Sequence, residues 1–157
     1  MSEPASTTLE TRRAQAFPVL SAEEIERVAR FGTRKRYAAG EHIYETGKRT
    51  EGLALVLSGV VRVTGRDGHG HDLPVVDHGP GSFSGEVGQL SGRRSFVDAT
   101  ALSDVEALLI SPEQLRALVI AEATLGEKIM RALILRRVAL IESSLNHEQV
   151  IHISLKP

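Results

Sequence analysis

The stretch GPGSFSGEVGQLSGRRSFVDATA, Gly79–Ala101, decides how the rest of the chain is interpreted. Its glycines at Gly81 and Gly85 allow the backbone to pass close to a ligand. The short segment after Gly85 can begin one turn of helix whose free N–H groups face an anion. Two arginines, Arg93 and Arg94, follow at a distance from which they can fold back on that anion. The stretch therefore predicts an anion-binding loop.

Short runs rich in β-branched residues, separated by glycines, surround this loop between residues 33 and 110. Leu53–Leu57 is apolar throughout, as expected of an inner strand, and Arg66–Gly68 predicts a hairpin turn. Many short strands with glycine turns indicate a sandwich, roll or barrel. The predicted strands are Lys35–Ala38, His42–Thr46, Leu53–Ser58, Val60–Thr64, Asp72–Val76, Phe96–Ala101 and Val105–Ile110.

Helical patterns flank the strands. Ser21 and Glu24 form a capping box that predicts a helix before the first strand. Ser111 and Gln114 form a second box after the last strand, with Pro112 at the first helical position. The predicted fold class is α+β: a double-stranded β-helix, or jelly-roll-like β-roll, with an N-terminal helix and two C-terminal helices.

The last helix is predicted from a third box, Thr124 with Glu127, and runs from Leu125 to about Leu145. Its apolar residues occupy more than one face. Packing on the roll alone would need only one face, so the pattern favours a homodimer formed through residues 125–145. The two sides are Ile129, Leu133, Arg136 and Leu140 against Met130, Ile134, Val138 and Ile141.

Length and composition limit the classes of function. The 157 residues fit one domain, which we place at 17–145, between a flexible leader at 1–16 and a short tail at 146–157. The chain has no cysteine, so disulfides and thiolate metal sites are excluded. A net charge of −1 argues against a general nucleic-acid binder. No signal peptide or membrane-spanning stretch is recognisable, so we expect a cytoplasmic protein.

A histidine cluster offers an alternative that we weigh and do not adopt. His69 and His71 form the His-X-His pattern of cupin metal sites, but a cupin needs a glutamate shortly after, where Val75 and Val76 stand. The flanking glycines favour a loop with solvated histidines, including His78. No metal site and no cofactor are predicted.

The stretch 79–101 resembles the phosphate-binding cassette of cyclic-nucleotide-binding domains, found in catabolite-activator-type regulators, cyclic-nucleotide-dependent kinases and gated channels. The resemblance covers about Phe17 to Glu142. Further motifs that match the family are Gly40-Glu41 with Gly47, Leu57–Val61 and Asp104–Glu106. On Gly85–Gly92, Val97–Ala99 and Leu125–Glu142 the chain is most similar, within that family, to the leading module of bacterial proteins that fuse it to a thioredoxin-reductase-like flavoprotein.

The resemblance implies a site for cyclic AMP or cyclic GMP. It implies that Glu86 accepts a hydrogen bond from the ribose 2′-hydroxyl, and that the backbone N–H groups of Gly85, Glu86 and Val87 meet the cyclic phosphate. It places the phosphate-neutralising arginine at Ser95, so that Arg94 stands one residue early. The predicted ligand-binding residues are Gly85, Glu86, Val87, Arg94 and Ser95.

The displaced arginine leaves two outcomes open. A shift of one residue along a strand turns a side chain to the other face, although a bulge would restore Arg94. Asp98 stands where the family often has a threonine. If its carboxylate faced inward, at about 5 Å from the phosphate it would cost about 3 kcal/mol at a dielectric near 20, which cancels one arginine.

The resemblance and these departures give two functional hypotheses. The first is a regulatory sensor, not an enzyme, that couples cyclic-nucleotide binding to movement of its C-terminal helix. The second is a degenerate, ligand-free roll that acts as a docking or dimerisation module. Either acts through an output partner, and the resemblance implies a flavoprotein reductase. Direct DNA binding is not expected, because too little chain follows residue 145 for a helix-turn-helix.

Overall fold

The computed structural model describes residues 7–65, 76–85, 94–95 and 97–155. Four helices and eight strands lie in this part of the chain. The helices are α1 (Thr8–Ala16), α2 (Ala22–Ala29), α3 (Pro112–Ala121) and α4 (Ala123–Leu155). The strands are β1 (Thr33–Tyr37), β2 (His42–Tyr44), β3 (Leu53–Ser58), β4 (Val61–Gly65), β5 (Val76–His78), β6 (Phe83–Ser84), β7 (Val97–Ala101) and β8 (Val105–Ile110).

The strands form two antiparallel four-stranded sheets, and this arrangement confirms the predicted class. One sheet has the order β1-β8-β3-β6 and the other β2-β7-β4-β5. Strand β3 is buried on both faces. Leu53 and Leu55 belong to a core beneath the helices, whereas Ala54 and Val56 belong to the core between the sheets. Burial of both faces explains why this strand has no polar alternation.

Most predicted strands are found. Leu53–Ser58 and Val105–Ile110 are confirmed to the residue. Part of the predicted strand Asp72–Val76, and the turn Arg66–Gly68, lie outside the described residues. Strand β6, inside the glycine-rich stretch, is not predicted from the sequence. A strand of two residues is too short to show the apolar–polar alternation that identifies a strand. It pairs with β3 and so ties the loop to the buried sheet.

The first two capping boxes are confirmed, and the third is wrong. In the boxes at Ser21 and Ser111 the cap side chain and the N3 side chain each bond the other's backbone. Thr124 instead lies inside α4, which begins at Ala123. Glu127 forms an ion pair of 2.7 Å with Arg131, one turn further on.

The two ends of the chain are more helical than the sequence indicates. Within the predicted flexible leader, residues 8–16 form α1, which begins with a capping box of Thr7 and Glu10. The sequence of α1 has only a weak apolar periodicity, so this helix is not predicted from the sequence. Helix α4 continues through the predicted tail to Leu155, since no glycine or proline interrupts it before Pro157. Its 33 residues span about 50 Å.

Candidate functional site

The loop begins where β6 ends, and its base is fixed to the segment that joins α1 and α2. The Gly81 carbonyl accepts a 2.8 Å hydrogen bond from the Leu20 N–H. Gly81 has φ of 87°, and a Cβ there would lie 2.8 Å from the Leu20 oxygen. Only glycine meets both conditions without strain. The close approach predicted for Gly81 is therefore to another part of this chain.

Of the predicted ligand-binding residues, Gly85, Arg94 and Ser95 are described, whereas Glu86 and Val87 lie outside the described residues. The carbonyl of Gly85 accepts a 3.2 Å hydrogen bond from Nη1 of Arg136 on α4. The first residue of the loop is thus attached directly to the long C-terminal helix.

Arg136 is the buried cation of the site. Its side chain is 8% exposed, and Nε donates a 2.8 Å hydrogen bond to the Ala16 carbonyl. The guanidinium carbon lies 4.7 Å from the ring centre of Phe17 and 4.5 Å from that of Phe83. Both distances fit cation–π contacts. Burial lowers the pKa of Arg136 to about 10, so it stays charged at neutral pH.

Arg136 also has unused hydrogen-bonding capacity. Nη2 is buried and has no hydrogen-bond partner within the described residues. No described carboxylate forms an ion pair with this guanidinium. A buried cation without an anion is costly. This role is not predicted from the sequence, although an arginine on an otherwise apolar side of a helix is itself a signal.

Two polar side chains lie in the buried structure next to Arg136. Tyr44 donates a 3.0 Å hydrogen bond to the Ser84 carbonyl and accepts one of 3.2 Å from the Ser84 hydroxyl. His78 is buried against Phe17, with ring centres 6.1 Å apart. Burial, with a smaller contribution from the Arg136 charge, lowers the pKa of His78 to about 4. The interpretation of this histidine as solvated is therefore wrong.

Ser95 faces the interior and Arg94 does not. The Ser95 side chain is 3% exposed, and its hydroxyl donates a 2.7 Å bond to the Val97 carbonyl and accepts one from the Val97 N–H. The Arg94 side chain is exposed, while its backbone forms a bridge to Arg49. In the structure Arg94 thus keeps the outward orientation that a shift of one residue predicts.

Asp98 lies on the outer face of β7. Ala99 and Ala101 belong to the core between the sheets, so the alternation of the strand places Asp98 on the opposite side. Its Oδ1 accepts a 2.7 Å hydrogen bond from the Thr46 N–H. The carboxylate therefore does not oppose an anion held inside the roll, which removes one of the two objections to ligand binding.

The described part of the chain has neither a metal-binding cluster nor a helix suited to span a membrane. The described residues contain no group of three His, Cys, Asp or Glu side chains placed to hold a metal ion. His69 and His71 lie outside them. Among the described helices, none has the length and apolar character needed to cross a membrane.

Comparison with known proteins identifies relatives of this fold and loop. A family model described as cyclic nucleotide-binding domain matches residues 34–122. The cyclic AMP receptor protein of Thermus thermophilus is 30% identical over 103 residues, which are 66% of this chain and 48% of that relative. The chain thus spans about half the length of the curated relative that it matches.

Two solved structures share the arrangement. The crystal structure of the Thermus thermophilus catabolite activator protein superposes with a TM-score of 0.67 at 28% identity, over 87% of this chain and 62% of that one. A structure from work on a cyclic-GMP-dependent signalling pathway that regulates bacterial phytopathogenesis gives 0.65 at 27% identity, over 76% of this chain and 95% of that one.

Proposed function

Because the chain belongs to the cyclic nucleotide-binding domain family, we propose that it is a regulatory sensor. On this proposal cyclic AMP or cyclic GMP binds beside the loop that begins at Gly85, and α4 moves in response. The observation that carries the proposal is the contact of Arg136, a residue of α4, with the first carbonyl of that loop.

The charge of Arg136 supports an anionic ligand. Its Nη2 is buried without a partner among the described residues, and no described carboxylate pairs with the guanidinium. The phosphate of a cyclic nucleotide would supply the missing negative charge, and a charge-assisted hydrogen bond is about twice as strong as a neutral one. Arg136 rather than the exposed Arg94 is therefore the favoured phosphate partner.

The same residue supports coupling to α4. A ligand shifts a conformational equilibrium only through contacts that differ between the two states. Arg136 holds the Gly85 carbonyl and the Ala16 carbonyl with two donors of one guanidinium. An anion that attracts this guanidinium changes both contacts, and α4 must adjust.

Titration calorimetry with cyclic AMP and with cyclic GMP tests binding. We expect the folded protein to bind at least one of them, with Glu86 and the backbone of Gly85 and Val87 as further contacts. Glu86→Ala is expected to weaken binding by about tenfold or more, since a hydrogen bond to a charged group contributes about 1.5–3 kcal/mol. Arg94→Ala serves as the control and is expected to change the affinity less than about threefold. No binding at millimolar ligand contradicts the proposal.

A second function is favoured by one observation, the internal bonding of Ser95. Its hydroxyl is already used by Val97, at the position where the resemblance expects the phosphate-binding arginine. If the roll has lost its ligand, it acts as a docking or dimerisation module. Binding that appears only after Ser95→Arg with Asp98→Thr would favour this function. Binding by the natural protein that Glu86→Ala abolishes would exclude it.

An exposed apolar stripe on α4 supports a homodimer. Ile134, Val138 and Ile141 recur at helical spacing and are 53%, 38% and 50% exposed. Such a seam is typical of helix pairing. We expect a dimer in analytical ultracentrifugation, and Ile134→Asp with Ile141→Asp to give a monomer. Ile120→Asp on α3, at a residue that is 84% exposed, is the matched control and leaves the dimer intact.

The partner that receives the signal from α4 is proposed from the resemblance. The resemblance to modules fused to flavoprotein reductases supports such a reductase as partner or neighbouring domain, in the cytoplasm. The movement of α4 is the signal that such a partner would receive.

A further inference from the structure

Helix α1 is attached to α4 at both of its ends. At its beginning, Thr8 donates two hydrogen bonds to the Glu142 carboxylate, 2.9 Å from the backbone N–H and 2.6 Å from the hydroxyl. At its end, the Ala16 carbonyl accepts the bond from Nε of Arg136. The chain directions oppose each other. The anchors lie about 9 Å apart along α4. They stand at the two ends of α1, which is kinked at Arg12, so the short helix lies beside the long one.

The Glu142 contact satisfies donors that a helix leaves open at its beginning. The first N–H groups of a helix have no intrahelical partner, and a carboxylate there also complements the helix dipole. The two bonds from Thr8 lower the pKa of Glu142 below its ordinary value, the hydroxyl bond having the larger effect. The carboxylate is therefore held in its charged form.

Helix α1 depends on contacts outside itself for its order. It has nine residues, with a break in the helical geometry at Arg12, and an isolated helix of this length is marginal in water. Residues 10–15 are exposed, whereas Ala16 is buried. The two anchors therefore contribute to the order of α1, together with its packing along α4.

The second anchor connects α1 to the proposed site. Arg136, which holds Ala16, also holds the Gly85 carbonyl, and the segment after α1 contributes the Leu20 N–H to Gly81. Helix α1, α4 and both ends of the short β6 region thus meet through two bonds from the Arg136 side chain to backbone carbonyls and one backbone–backbone bond. A shift of α4 relative to the loop must strain or open the contacts of α1.

We propose that α1 is a strap, latched to α4 by the Thr8–Glu142 contact, that restrains α4 in its position over Gly85. Opening the latch frees α4, and a ligand that moves α4 opens the latch. The latch itself is independent of the proposed function, whereas its effect on ligand binding rests on that function.

Amide hydrogen exchange over residues 9–16 tests the latch without any ligand. We expect Glu142→Ala, which removes both bonds, to speed exchange there by about fivefold or more. Thr8→Val removes the hydroxyl bond and leaves the backbone N–H bond, and we expect it to speed exchange by about threefold or more. Thr11→Val, one turn along the same helix, bonds only the Thr7 carbonyl and is the control for the threonine change. Glu113→Ala on α3 is the control for the glutamate change.

A double-mutant cycle separates the latch from a general loss of helix stability. If Thr8 and Glu142 act through one contact, the double variant exchanges about as fast as Glu142→Ala alone, because Thr8→Val removes no bond that Glu142→Ala leaves. Additive effects, or single variants that exchange like the unaltered protein, overturn the latch.

Nucleotide affinity, measured with the same variants, tests whether the latch restrains α4. We expect Thr8→Val to change the affinity for cyclic AMP or cyclic GMP by about threefold or more, and saturating ligand to speed exchange in α1 to match, since coupling between two sites is reciprocal. An unchanged affinity, with exchange in α1 unaffected by ligand, overturns the restraint on α4. Failure of every variant to bind either nucleotide overturns the proposed function and the regulatory role, while the exchange result still decides whether the latch exists.

Discussion

Replacing Arg136 by methionine separates the stability of the domain from its binding of ligand. Methionine fills a similar volume between Phe17 and Phe83 but has no charge and no donors. The change leaves the carbonyls of Ala16 and Gly85 without this partner, at a cost of about 1–3 kcal/mol each. It also removes a buried charge, and a well-packed apolar replacement of a buried ion often recovers about 1–4 kcal/mol.

These opposing effects largely cancel, so the free energy of unfolding of Arg136→Met is expected to change by less than about 2 kcal/mol. The affinity for cyclic nucleotide has no such compensation and is expected to fall about 10–100-fold, which corresponds to about 1.4–2.8 kcal/mol. Urea denaturation measures the first quantity and titration calorimetry the second.

The control is Arg131→Met on the same helix, whose side chain is 48% exposed and pairs only with Glu127. It is expected to change the free energy of unfolding by less than about 1 kcal/mol and to leave binding unaltered. If Arg136→Met binds cyclic nucleotide as tightly as the unaltered protein, Arg136 is not the phosphate partner and the reasoning fails.

Three further changes test the fold around the site. Gly81→Ala is expected to destabilise the domain by about 1–3 kcal/mol in urea denaturation, because φ is 87° and the new Cβ would meet a carbonyl oxygen at 2.8 Å. Gly79→Ala meets nothing within 4 Å and is the control. Leu55→Ala, at a side chain that is 1% exposed, is expected to cost about 2–5 kcal/mol, and Leu102→Ala, 45% exposed, less than about 1 kcal/mol. The folded-state pKa of His78 lies below its ordinary value, at about 4, so its protonation favours the unfolded chain. Stability is expected to fall by about 3 kcal/mol as pH drops from 6.5 to 4, and His78→Gln to lose that part of the pH dependence; an equal slope in both proteins contradicts it.

The sequence predicts those parts of the fold whose physical cause is local. Strands β3 and β8 are mostly apolar runs between turn residues, interrupted only by Glu106 in β8 and closed by Ser58 in β3, so their ends follow from the sequence alone. The helix starts at Ser21 and Ser111 follow from side chains three residues apart that bond each other's backbone. These features need no knowledge of distant contacts.

The features that the sequence does not predict depend on partners far along the chain. Helix α1 is anchored by a carboxylate 134 residues away. Arg136 is defined by carbonyls 120 and 51 residues away, so no local pattern reveals its role. The orientation of Asp98 required the register of β7, because a change of one residue would have placed it inside.

The ¹⁵N resonance of the Arg136 Nε–H group tests most directly whether ligand binding beside Gly85 reaches Arg136. It is followed during titration with cyclic AMP and cyclic GMP, and it is assigned by its absence in Arg136→Met. Binding at the loop must alter the hydrogen bond of this group to the Ala16 carbonyl. We expect a saturable shift of that resonance, with a midpoint equal to the calorimetric dissociation constant. A resonance that does not shift at millimolar concentrations of both nucleotides contradicts the proposal that a cyclic nucleotide binds beside Gly85 and Arg136.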